Sequence, residues 1–137
     1  MQNVLLNISG HRLSEEAYDE LTNEFTEIED ISFSNIDFSK NLEIQIKELF
    51  INCKTNLDGS IPITIIPPGQ STFAILLYSY LHGILGYPPN ICYLKANANN
   101  AFSPNTLFRI NLNEIKTSGR TIRQEIWKKH LPYKGII

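Results

Sequence analysis

The sequence predicts an α/β domain of three layers, with a mainly parallel sheet and a C-terminal antiparallel strand pair. Short apolar runs of strand length alternate three times with stretches of helical period, the order that builds parallel βαβ units. Two further strands then follow across a connection too short for a helical crossover, so they pair antiparallel. A chain of 137 residues has room for one core and no second domain. The domain is expected over 1–130, with 131–137 as a loose tail.

Asn3–Ile8 is nearly continuous in apolar residues and short enough for a buried strand. Ser9-Gly10-His11-Arg12 breaks it. Ser14 can cap a helix whose first residues, Glu15 and Glu16, suit the positive end of the helix dipole. Ala17, Leu21 and Phe25 recur every four residues on one side of it. A second strand is expected at Ile31–Ile36. Ser39 is the expected cap of a second helix carrying the stripe Leu42, Ile46, Leu49, Phe50 and Cys53. The third strand is Ile61–Ile66, where Pro62 suits a position needing no ladder donor.

A third helix runs from Phe73 to Leu85. Stepping its residues by 100° puts Phe73, Leu76, Leu77, Tyr80, Leu81, Ile84 and Leu85 on one broad arc. The opposite side holds Ile75, Tyr78, Ser79, His82 and Gly83, with no charged residue. A helix without a charged face has no side suited to bulk water. Either the sheet and flanking elements cover it entirely or it meets another subunit, and in so small a domain the pattern favours a two-fold contact with a second copy through Ile75, Tyr78 and His82. Ile91–Lys95 reads as a fourth strand, Asn97 to Asn105 as a loop, and Thr106–Leu112 as a fifth strand of alternating pattern. A last helix is expected from Arg120 to His130, with Pro132 beyond it.

The charge distribution narrows the function. Net charge is −2, so the long basic footprint of a duplex-DNA binder is missing. Residues 1–60 hold 12 acids against 4 bases, whereas Gly59 to Asn113 contains no Asp or Glu at all. Residues 113–137 hold 6 bases against 2 acids. That polarity favours an anionic ligand near the middle of the chain, although a solvated acidic half with a basic tail gives the same count. Cys53 and Cys92 lack metal-ligand spacing and read as buried free thiols of a reducing compartment. No stretch approaches the ~20 apolar residues of a membrane span, and the N-terminus lacks the features of a signal peptide. A cytoplasmic protein without membrane association, metal or cofactor is expected.

Sheets of this kind bind ligands beyond the carboxyl ends of their strands, where the strand order reverses. Two loops qualify, Ser9–Arg12 and Pro67–Thr72, and each leads into a helix. Gly69 lets a ligand approach the backbone, and the N–H groups of Gln70, Ser71 and Thr72 suit phosphate oxygens. His11 can exchange a proton near neutral pH and Arg12 offers a fork for phosphate. On the residues alone, Pro67-Pro68-Gly69 is equally a rigid turn, Ser71 a helix cap, and His11 and Arg12 solvent-facing side chains.

Three stretches carry a resemblance: Ser9-Gly10-His11-Arg12-Leu13-Ser14-Glu15-Glu16 after an apolar strand, Ile66-Pro67-Pro68-Gly69-Gln70-Ser71, and Leu81-His82-Gly83-Ile84-Leu85-Gly86-Tyr87-Pro88-Pro89. The chain resembles, over about residues 3–127, the small single-domain CRISPR-associated proteins found with type III systems. These are stand-alone relatives of the Rossmann-like CARF sensors. The resemblance implies a homodimer that binds cyclic oligoadenylate, cyclic tetra-adenylate first, across its two-fold axis. Some relatives cleave the ring and switch the antiviral signal off; others bind and sequester it. The implied ligand-binding positions are Ser9, Gly10, His11, Pro68, Gly69, Gln70, Ser71 and Thr72. Cleavage in such a protein needs no metal. A ribose 2′-hydroxyl attacks the adjacent phosphorus in line, with His11 as acid or base and Arg12 or the 69–72 amides stabilising charge. Two other classes remain open at this level: an interaction module docking a partner through its third helix, and an enzyme for a mononucleotide or sugar phosphate.

Overall fold

The first strand of the sheet, β1 (Val4–Asn7), is buried along its whole length, with Val4, Leu5 and Leu6 fully inaccessible. A strand covered on both faces needs helices on both sides, and the connections supply them. The computed structural model describes residues 2–33, 35–96 and 102–130. After β1 come α1 (Glu15–Leu21), β2 (Glu27–Asp30), α2 (Leu42–Ile51), β3 (Ile63–Ile66), α3 (Ser71–Leu85), β4 (Asn90–Ala96), β5 (Phe102–Ile110) and α4 (Leu112–Lys128). The strands lie in the order β2-β1-β3-β4-β5. The first four are parallel, and β4 pairs antiparallel with β5 from Ile91↔Ile110 to Leu94↔Leu107, with an irregularity between Leu94 and Ala96. The three-layer α/β architecture with its C-terminal antiparallel pair is as the sequence predicts.

From β1 the chain steps one way to β2, then returns past β1 to β3 and on to β4. Right-handed crossovers therefore send α1 to one face and α2 and α3 to the other. The core follows that division. Val4, Leu6, Ile63 and Ile65 pack with Ile46 and Phe50 of α2 and Phe73, Leu77, Leu81 and Leu85 of α3. Leu5, Ile66 and Cys92 point the opposite way, onto Leu21 and Phe25 at the end of α1. Ser14 caps α1 as expected, its hydroxyl accepting from Ala17 N at 3.1 Å.

Several boundaries differ from expectation. The second strand is Glu27–Asp30, not Ile31–Ile36. Its register with β1, Val4↔Glu27 to Asn7↔Asp30, stops where β1 stops, and Ile31, Phe33 and Ile36 serve the core from the following loop instead. An acidic strand is tolerated there because β2 is the sheet edge, where charge also discourages further pairing. Asn41 rather than Ser39 caps α2, accepting from Ile44 N, because Ser39 is turned back onto the Asp37 carboxylate. The third strand begins at Ile63, two residues late, and Pro62 contributes only its carbonyl, which accepts from Val4 N.

Helix α3 begins at Ser71, two residues before Phe73, and ends at Gly86, whose φ of 81° is one that glycine adopts without strain. Its buried stripe is narrower than the predicted arc: Phe73, Leu77, Leu81 and Leu85 are buried, while Leu76 and Ile84 stay more than a third exposed. The fifth strand starts at Phe102, inside the stretch expected to be loop, and stops at Ile110. The last helix starts at Leu112, eight residues before Arg120, because Asn111 caps it by accepting from Glu114 N. The remainder of the Asn-rich loop, 97–101, and the tail 131–137 lie outside the described residues.

This division of the core makes a direct prediction. Leu77→Ala, at a fully inaccessible position, should lower the unfolding free energy by about 2–5 kcal/mol in urea denaturation. Ile51→Ala, at a position 68% exposed on α2, should change it by no more than about 0.5 kcal/mol.

Candidate functional site

The reversal of strand order falls between β1 and β3, so the loops leaving those strands diverge to opposite faces and open a crevice between them. These are the 9–12 and 67–70 loops singled out in the sequence.

The first loop is built on a residue the sequence reading missed. Asn7, the last residue of β1, is 3% exposed, and its amide is fully engaged. Its Nδ2 donates to the His11 carbonyl at 2.9 Å and to Asp30 Oδ1 at 2.8 Å. Its Oδ1 accepts from Ser9 N at 3.2 Å and Ser9 Oγ at 2.6 Å. Ser9 Oγ in turn accepts from His11 N at 3.1 Å. Gly10, at φ 80°, makes the turn that closes this knot. At two of the predicted ligand-binding positions a polar group is thus committed to the loop itself: the Ser9 hydroxyl and the His11 amide. The side chains of His11 and Arg12 are exposed. The visible signal for Asn7 is a polar residue closing an otherwise apolar run.

The second loop ends at the N-terminus of α3. Gln70, expected to offer its N–H, is the helix cap: its Oε1 accepts from Phe73 N at 2.6 Å and its carbonyl from Ala74 N at 2.9 Å. Ser71 and Thr72 are the first two helical residues, whose N–H groups have no acceptor within the helix. Both residues are exposed, and among the described residues no side chain accepts from either amide. Helix α3 carries no Asp, Glu, Lys or Arg, and His82 in its last turn is its one basic residue.

Two clefts flank the meeting point of the loops and share Ser9, His11 and Gly69. One, of about 340 Å³, includes Arg12, Leu13, Ser14 and Pro67; the other, of about 510 Å³, includes Gly10, Phe33, Pro68 and Gln70. Neither is lined by an Asp or Glu. A third depression behind the first loop does contain Asp30. A cleft farther out on the sheet edge, between β2 and α2, is lined by Glu29, Asp30 and Glu48 and is set against anions.

In that outer cleft Glu29 is a tie rather than a reactive group. Burial raises its pKa, yet the Thr55 hydroxyl at 2.6 Å, the Lys54 N–H at 2.7 Å, the Cys53 thiol and the Thr55 N–H together hold it below the usual range. Burial, with the Glu29 carboxylate beside it, pushes the Cys53 thiol up to about 11, so it stays protonated and unreactive at neutral pH. Both thiols are free as expected, but only Cys92 is buried; Cys53 is half-buried. Arg109, the other cation of the acid-free segment's sheet, is taken: it pairs with Glu24 and lies 5.5 Å over the Phe25 ring.

Of the residues expected at a two-fold contact, Ile75 is 66% exposed. Tyr78 and His82 are half-buried on the same flank, the Tyr78 hydroxyl donating to the Pro89 carbonyl at 3.3 Å and the two rings meeting edge to face. Among the described residues no cluster of His, Cys, Asp or Glu could hold a metal ion, and no helix is long and apolar enough to cross a membrane. A scan against protein-family models, a search of curated proteins and a search of solved structures each found no match to the chain.

Replacement of Asn7 tests the knot. Asn7→Ala strands several buried partners and should cost about 1–3 kcal/mol. Asn7→Asp sets a carboxylate against Asp30 at a spacing now bridged by 2.8 Å, so it should be the worse variant at pH 7. Repulsion raises the pKa of that pair above the unfolded value, so stability returns as protons bind. The difference between the two variants should close below about pH 4, measured by thermal unfolding across pH.

Proposed function

We propose that the chain binds a cyclic oligoadenylate, cyclic tetra-adenylate first, as a two-fold dimer, and so attenuates type III CRISPR signalling by removing the free second messenger. The observation that carries this reading is a pair of clefts whose lining holds no carboxylate, the larger reaching Gln70 at the start of α3; Ser71 and Thr72, whose amides have no acceptor within the helix, follow it in the chain and line neither cleft. A helix N-terminus favours phosphate through its open N–H groups and its dipole. Two of the three stretches that resemble the small CRISPR-associated proteins, 9–16 and 66–71, contribute to these clefts; the third, 81–89, lies at the far end of α3.

A ring with repeating phosphates suits a two-fold dimer, because each protomer offers identical loops to half of the ligand. In this reading the Ser71 and Thr72 amides take phosphate oxygens and Gly69 lets the ring approach the backbone. Arg12 supplies the counter-charge. Phe33 and Phe38, which line the larger cleft, give surfaces on which adenine can stack. Ser9 and Asn7 act indirectly, by fixing the position of His11.

Where the ring is also cut, atoms balance without a metal. The 2′-oxygen forms a bond to phosphorus as the 5′-oxygen leaves, the 2′-hydroxyl proton is taken up, and the leaving oxygen gains one. His11 is the side chain of the crevice suited to that exchange.

Isothermal titration with cyclic tetra-adenylate should give a dissociation constant in the micromolar range or tighter, with AMP and linear tetra-adenylate at least tenfold weaker. An undetectable heat and no thermal shift would remove the proposal. Gly69→Asp, at a position where an added Cβ meets nothing within 4 Å, should leave the unfolding temperature unchanged and weaken binding roughly tenfold or more by charge repulsion. Product analysis at excess ligand separates cleavage from sequestration, and His11→Ala should abolish any 2′,3′-cyclic phosphate product while retaining binding.

A further inference from the structure

Helix α4 has no buried residue, and every position from Asn113 to Lys128 is exposed. A helix of this length draws most of its stability from packing an apolar face. Yet Ile115 is 59% exposed, Ile122 51%, Ile126 48% and Trp127 63%. Leu112, Ile115, Gly119, Ile122 and Ile126 follow one another at three- and four-residue spacing, so they share an arc of about 80° along a helix about 25 Å long. The row is continuous because it lies on a single helix.

Charge is arranged around that row. At 100° per residue, Arg123 and Lys116 stand about 20° and 40° beyond one margin, with Trp127 and Arg120 next to them, and Lys129 stands about 20° beyond the other. Glu114 and Glu125, the two acids of the helix, lie about 60–80° beyond that second margin. Cations therefore border the apolar row on both sides. Residues 112–129 hold five bases and two acids, net +3, which leaves −5 on the rest of a chain of net −2. Helix α4 leaves from β5 at one edge of the sheet, and the acidic β2 forms the other edge.

We propose that α4 is an interfacial arm that lies along the surface of an anionic bilayer, its isoleucine row in the acyl boundary and its cations at the headgroups. A bare apolar face bordered by cations, with a tryptophan at its margin, is what such a surface takes up. Trp127 suits the headgroup level, and the Lys116 and Arg123 stems can lie along the apolar row while their charges reach phosphate. The charge split orients the contact: an anionic surface attracts the arm and repels the acidic edge, so the body stands away from the lipid. A second copy covers the row less well. Seam-to-seam pairing leaves a gap at Gly119, extends the row to Lys129, where like charges meet, and leaves Trp127 outside it. No membrane association is expected from the sequence because no segment can span a bilayer, but a helix lying in the interface needs no such segment. The inference is independent of the ligand of the crevice.

Trp127 is the one tryptophan of the chain, so its fluorescence reports on this arm alone. Titrating the full chain with vesicles of equimolar phosphatidylcholine and phosphatidylglycerol should shift the emission to shorter wavelength and co-sediment the protein. Pure phosphatidylcholine should bind roughly tenfold more weakly or worse. Ile122→Glu should weaken the association roughly tenfold or more, and Lys116→Gln and Arg123→Gln roughly fivefold each. All three positions are exposed, so the circular dichroism spectrum without vesicles should not change. Ile51→Glu, exposed on α2, should bind as the parent does. No spectral shift, or sedimentation without one, overturns the arm. Sedimentation that survives Ile122→Glu reduces the contact to charge alone and also overturns it. So does a shift that grows with protein concentration in the absence of vesicles, which assigns the row to a second copy. None of these outcomes touches the crevice, whose ligand titration with cyclic tetra-adenylate decides separately.

Discussion

Burial of β1 on both faces is the constraint from which the rest of this structure follows. Val4, Leu5 and Leu6 have no contact with water, so neither side of the strand can be left bare, and a chain this short covers both only by crossing over twice in opposite directions. The consequence is geometric. Once α1 lies on one face and α3 on the other, the turns leaving β1 and β3 separate at their carboxyl ends, and a crevice appears without any residue being selected to make it. Function-bearing residues then need only occupy the two turns. The buried strand also explains why Asn7 matters: a polar side chain at the end of a dry strand must be satisfied locally, and the 9–12 loop and Asp30 satisfy it.

The apolar, doubly covered parts of the fold were legible in the sequence because burial leaves a pattern. Asn3–Ile8, the third strand and the Phe73, Leu77, Leu81, Leu85 stripe all declare themselves by continuous or four-residue periodicity. The elements misplaced are those whose position is set by pairing rather than by pattern. Glu27–Asp30 carries three acids, so within 27–38 the apolar pattern points to Ile31–Ile36 instead, yet Glu27–Asp30 is the strand because β1 offers hydrogen bonds at that level and it sits at an edge where charge is harmless. The first turns of helix α4 are hard to read because Gly119 and Ser118 weaken helical propensity, although Asn111 with Glu114 three residues on is a legible start signal. In the site, the loops were visible from Gly, Pro and helix-start chemistry. The division of labour among their atoms was not, since only coordinates reveal that Ser9 Oγ, the His11 amide and the Gln70 carboxamide oxygen are already engaged.

That division changes the chemistry of the crevice. A loop whose own hydroxyl and amide are consumed in holding its shape is preorganised, and it presents His11 and Arg12 from a fixed base instead of wrapping a ligand with flexible backbone. The capped Phe73 N–H has the same effect at the other loop: it fixes the first turn of α3 and leaves the two preceding amides outward. An anion meeting this crevice pays little for ordering the protein. Asp30 works against it from behind the first loop, which biases a polyanion toward the two clefts on either side of Gly69 and away from β2.

The uneven charge of the chain acquires a spatial meaning from the strand order. The acidic β2 lies at one edge of the sheet, and the basic α4 leaves from β5 at the other. The crevice lies between, and its two clefts are lined by no carboxylate.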